Sequence, residues 1–186
     1  MKFIILFLFL ITSLFASRDG GPYLGVGYGL SSYGDGGYYD SVKNSSSNSL
    51  TYYAGAYINK HLSVELDYAS FNAKGHGDSF NVVKNNEDLS LNFSVVSVSV
   101  LAHYAFFKDK LDCYARFGAG KLTQSNISDT GATMVYGTGV SYRFNKSFSM
   151  KLAYDTYRFG YDENNDKASD YRMDLDHIYT AFEVQF

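Results

Sequence analysis

The feature that most restricts this chain is a two-residue alternation of apolar with small or polar side chains, which returns eight times between Tyr23 and Phe186. Successive side chains of a strand point to opposite faces, so each such stretch predicts a strand with one apolar face. Leu24, Val26, Tyr28 and Leu30 oppose Gly25, Gly27 and Gly29; Tyr52, Ala54, Ala56 and Ile58 oppose Tyr53, Gly55 and Tyr57. Val64, Leu66 and Tyr68 oppose Glu65, Asp67 and Ala69, and Val96, Val98, Val100, Ala102 and Tyr104 oppose Ser97, Ser99, Leu101 and His103. Just before that fourth run, Leu91, Phe93 and Val95 have the opposite phase, which predicts a bulge or a strand start near Val95. In the second half Cys113, Ala115, Phe117 and Ala119 oppose Tyr114, Arg116, Gly118 and Gly120. Met134, Tyr136, Thr138, Val140, Tyr142 and Phe144 oppose Val135, Gly137, Gly139, Ser141 and Arg143. Phe148, Met150, Leu152 and Tyr154 oppose Ser149, Lys151, Ala153 and Asp155. Finally, Ile178, Thr180, Phe182, Val184 and Phe186 oppose His177, Tyr179, Ala181, Glu183 and Gln185.

The connections alternate as strictly as the side chains. Asn59-Lys60-His61, Lys108-Asp109-Lys110 and Asn145-Lys146-Ser147 are tight polar turns. Ser31 to Ser49, Asn72 to Asp88, Leu122 to Thr130 and Gly160 to Asp174 are long and polar. Short links on one side and long ones on the other suit strands that cross a membrane in sequence, with short periplasmic turns and long external loops. Greek-key links of a soluble sandwich would not give this order. In lipid every backbone group must be paired internally, so strands cross only as a closed barrel. Each segment offers about 9–11 alternating residues, the length of a tilted membrane strand. Tyr28, Tyr52, Tyr68, Tyr104, Phe106, Phe144 and Phe148 fall near the expected strand ends, where aromatic girdles meet lipid headgroups. The reading is all-β: an eight-stranded antiparallel up-and-down transmembrane β-barrel. The alternative, a soluble lipocalin-like barrel, requires the faces inverted. Its inner set of Gly, Ser, Glu, Arg and Lys would make a poor apolar pocket.

The front of the chain supports export. Lys2 followed by the apolar run Phe3 to Ile11 and by Leu14-Phe15-Ala16 has the form of a secretory signal peptide, too short to span as a helix. Residues 1–16 are read as this signal peptide and residues 17–186 as the barrel domain. No cysteine follows the apolar run, which excludes a lipoprotein, and the single Cys113 excludes an intramolecular disulfide framework. With 18 Tyr, 15 Phe and 17 Gly but no Trp, the composition suits strands with one apolar face. A net charge of −3 argues against nucleic acid as partner.

Together with the exported start, the segments "PYLGVGYG", "YARFGAG", "YGTGVSYRF", "SMKLAYDTYRF" and the terminal "FEVQF" resemble the OmpA/OmpX-type, porin-like outer-membrane β-barrel family, over Arg18 to Phe186. The resemblance implies an integral outer-membrane protein, monomeric, in contact with lipid and lipopolysaccharide, with no cofactor and no enzymatic activity. Relative to full-length OmpA, the chain is read as lacking a second, peptidoglycan-binding domain and as ending with its barrel. The resemblance also implies that Phe182, Val184 and the terminal Phe186 form the signal read by the outer-membrane assembly machinery.

An eight-stranded lumen is just wide enough for side chains to fill. Glu65, Asp67, Arg116, Arg143, Lys151, Asp155 and Glu183 are all expected to face it in its periplasmic half. A buried unpaired charge costs several kcal/mol, so these groups should pair in a structural or gating network. Other constellations are weaker. His103 and His177 point inward on separate strands with no Ser or acid at a defined reach, which favours lumen hydrogen bonding over catalysis. Gly25-Val26-Gly27-Tyr28-Gly29 has no helix after it, so it is no dinucleotide loop, and Gly118-Ala119-Gly120-Lys121 is no P-loop. The acidic stretch Tyr161 to Asp176 lacks EF-hand spacing, so no metal site is assigned. Loop 31–49 is rich in the Tyr, Ser, Gly and Asn that recognition loops favour, and loops 31–49 and 160–174 could contact a host or matrix surface. A small passive channel or hydrophobic-ligand conduit is the competing function, and a lipid-modifying enzyme a more distant one.

Overall fold

The computed structural model describes residues 20–34, 46–75, 89–124, 130–161 and 171–186. They form β1 (Gly21–Gly34), β2 (Ser46–Asn59), β3 (Leu62–Gly75), β4 (Leu89–Phe106), β5 (Leu111–Gln124), β6 (Thr130–Arg143), β7 (Phe148–Tyr161) and β8 (Tyr171–Gln185). Each strand pairs antiparallel with its sequence neighbours, and β1 closes on β8 to complete a barrel with no free edge. This is the up-and-down barrel expected from the alternation.

The outward face is apolar. Leu24, Val26, Leu66, Val98, Phe117, Leu152 and Phe182 are exposed, while their alternation partners fill the interior. The upper limit of the apolar belt can be followed strand by strand. Outward Leu30, Leu50, Tyr68, Val96, Ala119 and Ile178 give way to Ser32, Asn48, Ser70, Ser94, Lys121 and Asp176, and on β7 Tyr154 gives way to Thr156, which is buried against Asp176. The pairs Ser32↔Asp176, Leu50↔Ser70, Ser70↔Ser94 and Thr156↔Asp176 hold that limit near one level around the ring. On β2 the run Leu50 to Ile58 covers roughly 30 Å of strand. A tilt of about 40° reduces this to roughly 23 Å, the height of an outer-membrane apolar band. Tyr28, Tyr52 and Tyr68 sit at the upper edge of the belt. The edge-to-face pairs Tyr104–Phe106 and Tyr142–Phe144 mark its lower edge.

Two expectations are corrected. The strands are 14 to 18 residues long, not 9–11, and they run on into the segments read as loops. Ladder hydrogen bonding continues above the belt, where outward Ser, Asn and Thr tolerate water. Only residues 35–45, 76–88, 125–129 and 162–170 of those segments lie outside the described residues. Nor is there a bulge near Val95: β4 pairs without a register shift from Leu89 to Ala102 on β3 and from Phe93 to Phe106 on β5. Phe93 and Val95 point inward in the same alternation as Ser97, Ser99, Leu101 and His103, because the upper interior is itself apolar. The register shift that does occur lies at Tyr57/Asn59 of β2, beside the first tight turn.

Candidate functional site

The interior divides into layers. Toward the long connections, Ala69, Phe71, Phe93, Val95, Leu122, Val135, Tyr157, Phe159 and Leu175 pack into one apolar cluster. Phe71 meets Tyr157 edge-on at 5.4 Å between centroids. This layer was hidden in the sequence because Phe93 and Val95 alternate in the opposite phase to the apolar face of the rest of their strand, which reads as a break in the strand and not as an apolar inward layer.

Below it, toward the tight turns, lie the charges. Arg116 of β5 is the centre: it binds Asp67 through Nη2, Asp155 through Nη1 at 2.7 Å and Glu65 at 3.7 Å. Its Nε donates to Ser99 Oγ at 2.9 Å. Lys151 of β7 reaches Glu65 at 3.2 Å and Glu183 at 3.5 Å, and lies 4.0 Å from the centroid of the Tyr53 ring. Two cations are thereby shared among four carboxylates, and the surplus negative charge is met by hydroxyls. Ser97 donates to Asp67, Tyr179 to Asp155, Tyr23 to Glu65, and Tyr57 and Ser149 to Glu183. Charge-assisted bonds of this kind are what permit ions in a closed interior. All these side chains are buried.

The structure therefore brings together six of the seven charged residues singled out by sequence. Arg143 is half-buried at the end of β6, where it donates to Gln185 Oε1 at 3.1 Å. Its inward position next to the third tight turn takes it to the rim of the lumen. Phe182 is exposed on the outward face of β8, Val184 and Phe186 are half-buried beside it, and the Phe186 amide donates to Pro22 O at 2.9 Å across the β1–β8 seam.

His103 departs from its sequence reading. It has both an acid and a serine in reach: Nδ1 is 2.7 Å from Asp112 Oδ2, and Nε2 is 2.8 Å from Ser63 Oγ. Asp112 follows on the same hairpin, so the inward faces of β4 and β5 across one tight turn were a legible signal. Ser63, on β3, was not. The order Ser–His–Asp is that of a nucleophile relay. Here, however, Ser63 is 0% exposed and its oxygen also meets the Tyr23 hydroxyl at 3.2 Å, so a substrate carbonyl has no approach. His177 is buried against Tyr179, with rings stacked 4.4 Å apart, and Phe71 stands edge-on to it at 5.1 Å. It separates the charged layer from the apolar one.

The sequence matches the family described as outer membrane protein beta-barrel domain over residues 3–177. No curated protein matches it. Among solved structures it is similar to Neisserial surface protein A, at 14% identity, covering 89% of this chain and 97% of that one with a TM-score of 0.61. It is also similar to the outer membrane protein OprG of Pseudomonas aeruginosa, at 12% identity, covering 89% and 96% with a TM-score of 0.55. A third is Ail, the attachment invasion locus protein of Yersinia pestis, at 18% identity, covering 89% and 99% with a TM-score of 0.50. At such identities the three likenesses show the fold, and the family match extends over nearly the whole chain. An apolar belt outside, a closed ladder and this match lead to one conclusion: the chain belongs to the outer membrane protein beta-barrel family and is an integral protein of the bacterial outer membrane.

Proposed function

We propose that this barrel is a non-enzymatic, non-conducting component of the outer membrane that displays its long connections outside the cell. The observation that carries this reading is the filled interior. An apolar layer is stacked on a charged layer in which ions, serines and tyrosines bond one another. An ion entering from either side would have to break buried pairs or cross packed aromatics, each costing several kcal/mol. Lipid and lipopolysaccharide are its lateral partners, the assembly machinery receives it through Phe182, Val184 and Phe186, and it works as a monomer. Loops 31–49 and 160–174, largely outside the described residues, are the surfaces offered to a host or matrix.

Planar-bilayer recording of the purified full chain tests this directly. No steady unit conductance is expected from the wild type. A stable ohmic pore would overturn the reading in favour of a passive channel. Surface display is tested separately: deleting residues 35–48 should leave the barrel folded while removing binding to cells or matrix.

A further inference from the structure

Each strand that runs down to a tight turn ends in the same way. Ile58, Phe106 and Phe144 are exposed apolar residues at the foot of β2, β4 and β6, and Lys60, Lys108 and Lys146 follow each of them two positions later. Lys110 adds a further cation at the second turn, and all four lysines are exposed. Among the described side chains exposed at this end, Asp109 is the one anion.

The folding of the turns does not require these lysines. Asn59 and Asn145 cap the first and third turns, and the Lys110 amide closes the second by donating to Phe107 O at 3.4 Å. No salt bridge among the described residues uses a turn lysine. The turns are also fixed at the wall: His61 O accepts from the His103 amide and Lys110 O from the Arg143 amide, both at 2.8 Å. In the second turn Phe107, Lys108 and Asp109 have φ of 49°, 58° and 64°, a region that bulky residues avoid. Phe107 is nonetheless kept there, 78% exposed, one residue after the edge-to-face pair Tyr104–Phe106. Among the described side chains, the opposite edge of the belt is balanced in charge. Arg158 and Lys121 are matched in number by Asp174 and Asp176, and Arg158 pairs with Asp174 at 2.7 Å.

A lysine just beyond a lipid-facing apolar residue lays its stem along the apolar surface and holds its ammonium at the depth of phospholipid phosphates. We propose that the tight-turn rim binds anionic phospholipid of the phosphatidylglycerol type in the inner leaflet, with Lys60, Lys108, Lys110 and Lys146 on the phosphates and Phe106, Phe107 and Phe144 at the acyl–glycerol boundary. A cell-wall polymer would meet the turns from below and would not use the exposed rings beside the lysines. The inference rests on the outer-membrane placement with the tight turns toward the periplasm, and it stands whether or not the barrel conducts.

The test uses the refolded full chain in phosphatidylcholine vesicles, with spin-labelled phosphatidylglycerol or spin-labelled phosphatidylcholine as probe. Electron spin resonance separates lipid held at the protein surface from free lipid. The held fraction of the phosphatidylcholine label reports barrel–lipid contact itself, on which the proposed function depends; the ratio of the two labels reports the inference alone. At low salt the phosphatidylglycerol label should associate about three- to fivefold more strongly. The preference should fade in 1 M NaCl, where the screening length is about 3 Å. Lys60→Gln, Lys108→Gln, Lys110→Gln and Lys146→Gln together should abolish it. Lys108→Gln with Lys110→Gln should lower it part of the way, which keeps the test open if the quadruple variant folds poorly. Lys121→Gln, at the opposite edge, should leave it unchanged. Equal association of both labels with the wild type would overturn the inference, and so would a preference that survives the quadruple variant. Retention of the wild type on isolated peptidoglycan, lost in the quadruple variant and without any lipid preference, would assign the lysines to the cell wall instead.

Discussion

Arg116 shows what a single residue does in this interior. Its guanidinium has five donors in a fixed plane, enough to hold three carboxylates and Ser99 at once. Arg116→Met keeps much of the volume but leaves Asp67 and Asp155 without their cation. A loss of about 3–5 kcal/mol is expected, read as a lower urea midpoint in lipid vesicles. Gly137 is needed for a different reason. It faces Asp155 across β6 and β7, and a Cβ there would strike the Asp155 carboxylate and lie 2.6 Å from the Tyr154 carbonyl oxygen. Asp155 cannot retreat, because Arg116 and Tyr179 hold it. Gly137→Ala should therefore cost about 1–3 kcal/mol by the same unfolding measurement. An equal substitution at outward Thr138 should cost less.

At the scale of the strand, register decides everything, because a one-residue slip would carry Lys151 into lipid and Leu152 into the lumen. The tight turns set that register: Asn59 caps the first by accepting from the His61 and Leu62 amides, and Asn145 caps the third through Ser147 and Phe148. The last strand has the further task of closure. Its Gln185 amide reaches Ser147 O at 2.8 Å and its Phe186 amide reaches Pro22 O at 2.9 Å, so it is bonded on both edges to its end. Removing Phe186 deletes only one of these bonds. The expected outcome is a small change in the stability of barrels folded in vitro but a clear drop in the outer-membrane level in cells. Unchanged levels in fractionated membranes would refute an assembly role.

For the molecule as a whole, closure and filling are separate barriers. In the non-conducting reading proposed above, the apolar cluster beneath the long connections and the ion cluster beneath it would each occlude the lumen. Tyr157→Ala should leave a cavity in the upper layer, lowering stability by about 3–5 kcal/mol. It should still show no conductance in bilayers, because the charged layer remains intact. A pore opened by that one change would mean the lower layer does not seal.

The sequence by itself determined the strands, their inward and outward faces and the side on which the chain turns tightly. All of these depend on neighbours one or two residues apart, or on turn chemistry. It also nominated Glu65, Asp67, Arg116, Lys151, Asp155 and Glu183 as lumen charges, since an ionised group on an inward face has nowhere else to go. What only the tertiary structure decided is who meets whom. Lys151 and Glu65 are 86 positions apart, and Ser63 and His103 are 40 apart. Their contact depends on the tilt and stagger with which the sheet closes, which no local pattern encodes. The same closure sent Arg143 to the rim, turned Phe93 and Val95 into an apolar layer instead of a bulge, and gave His103 its serine partner on β3, which the alternation could not show.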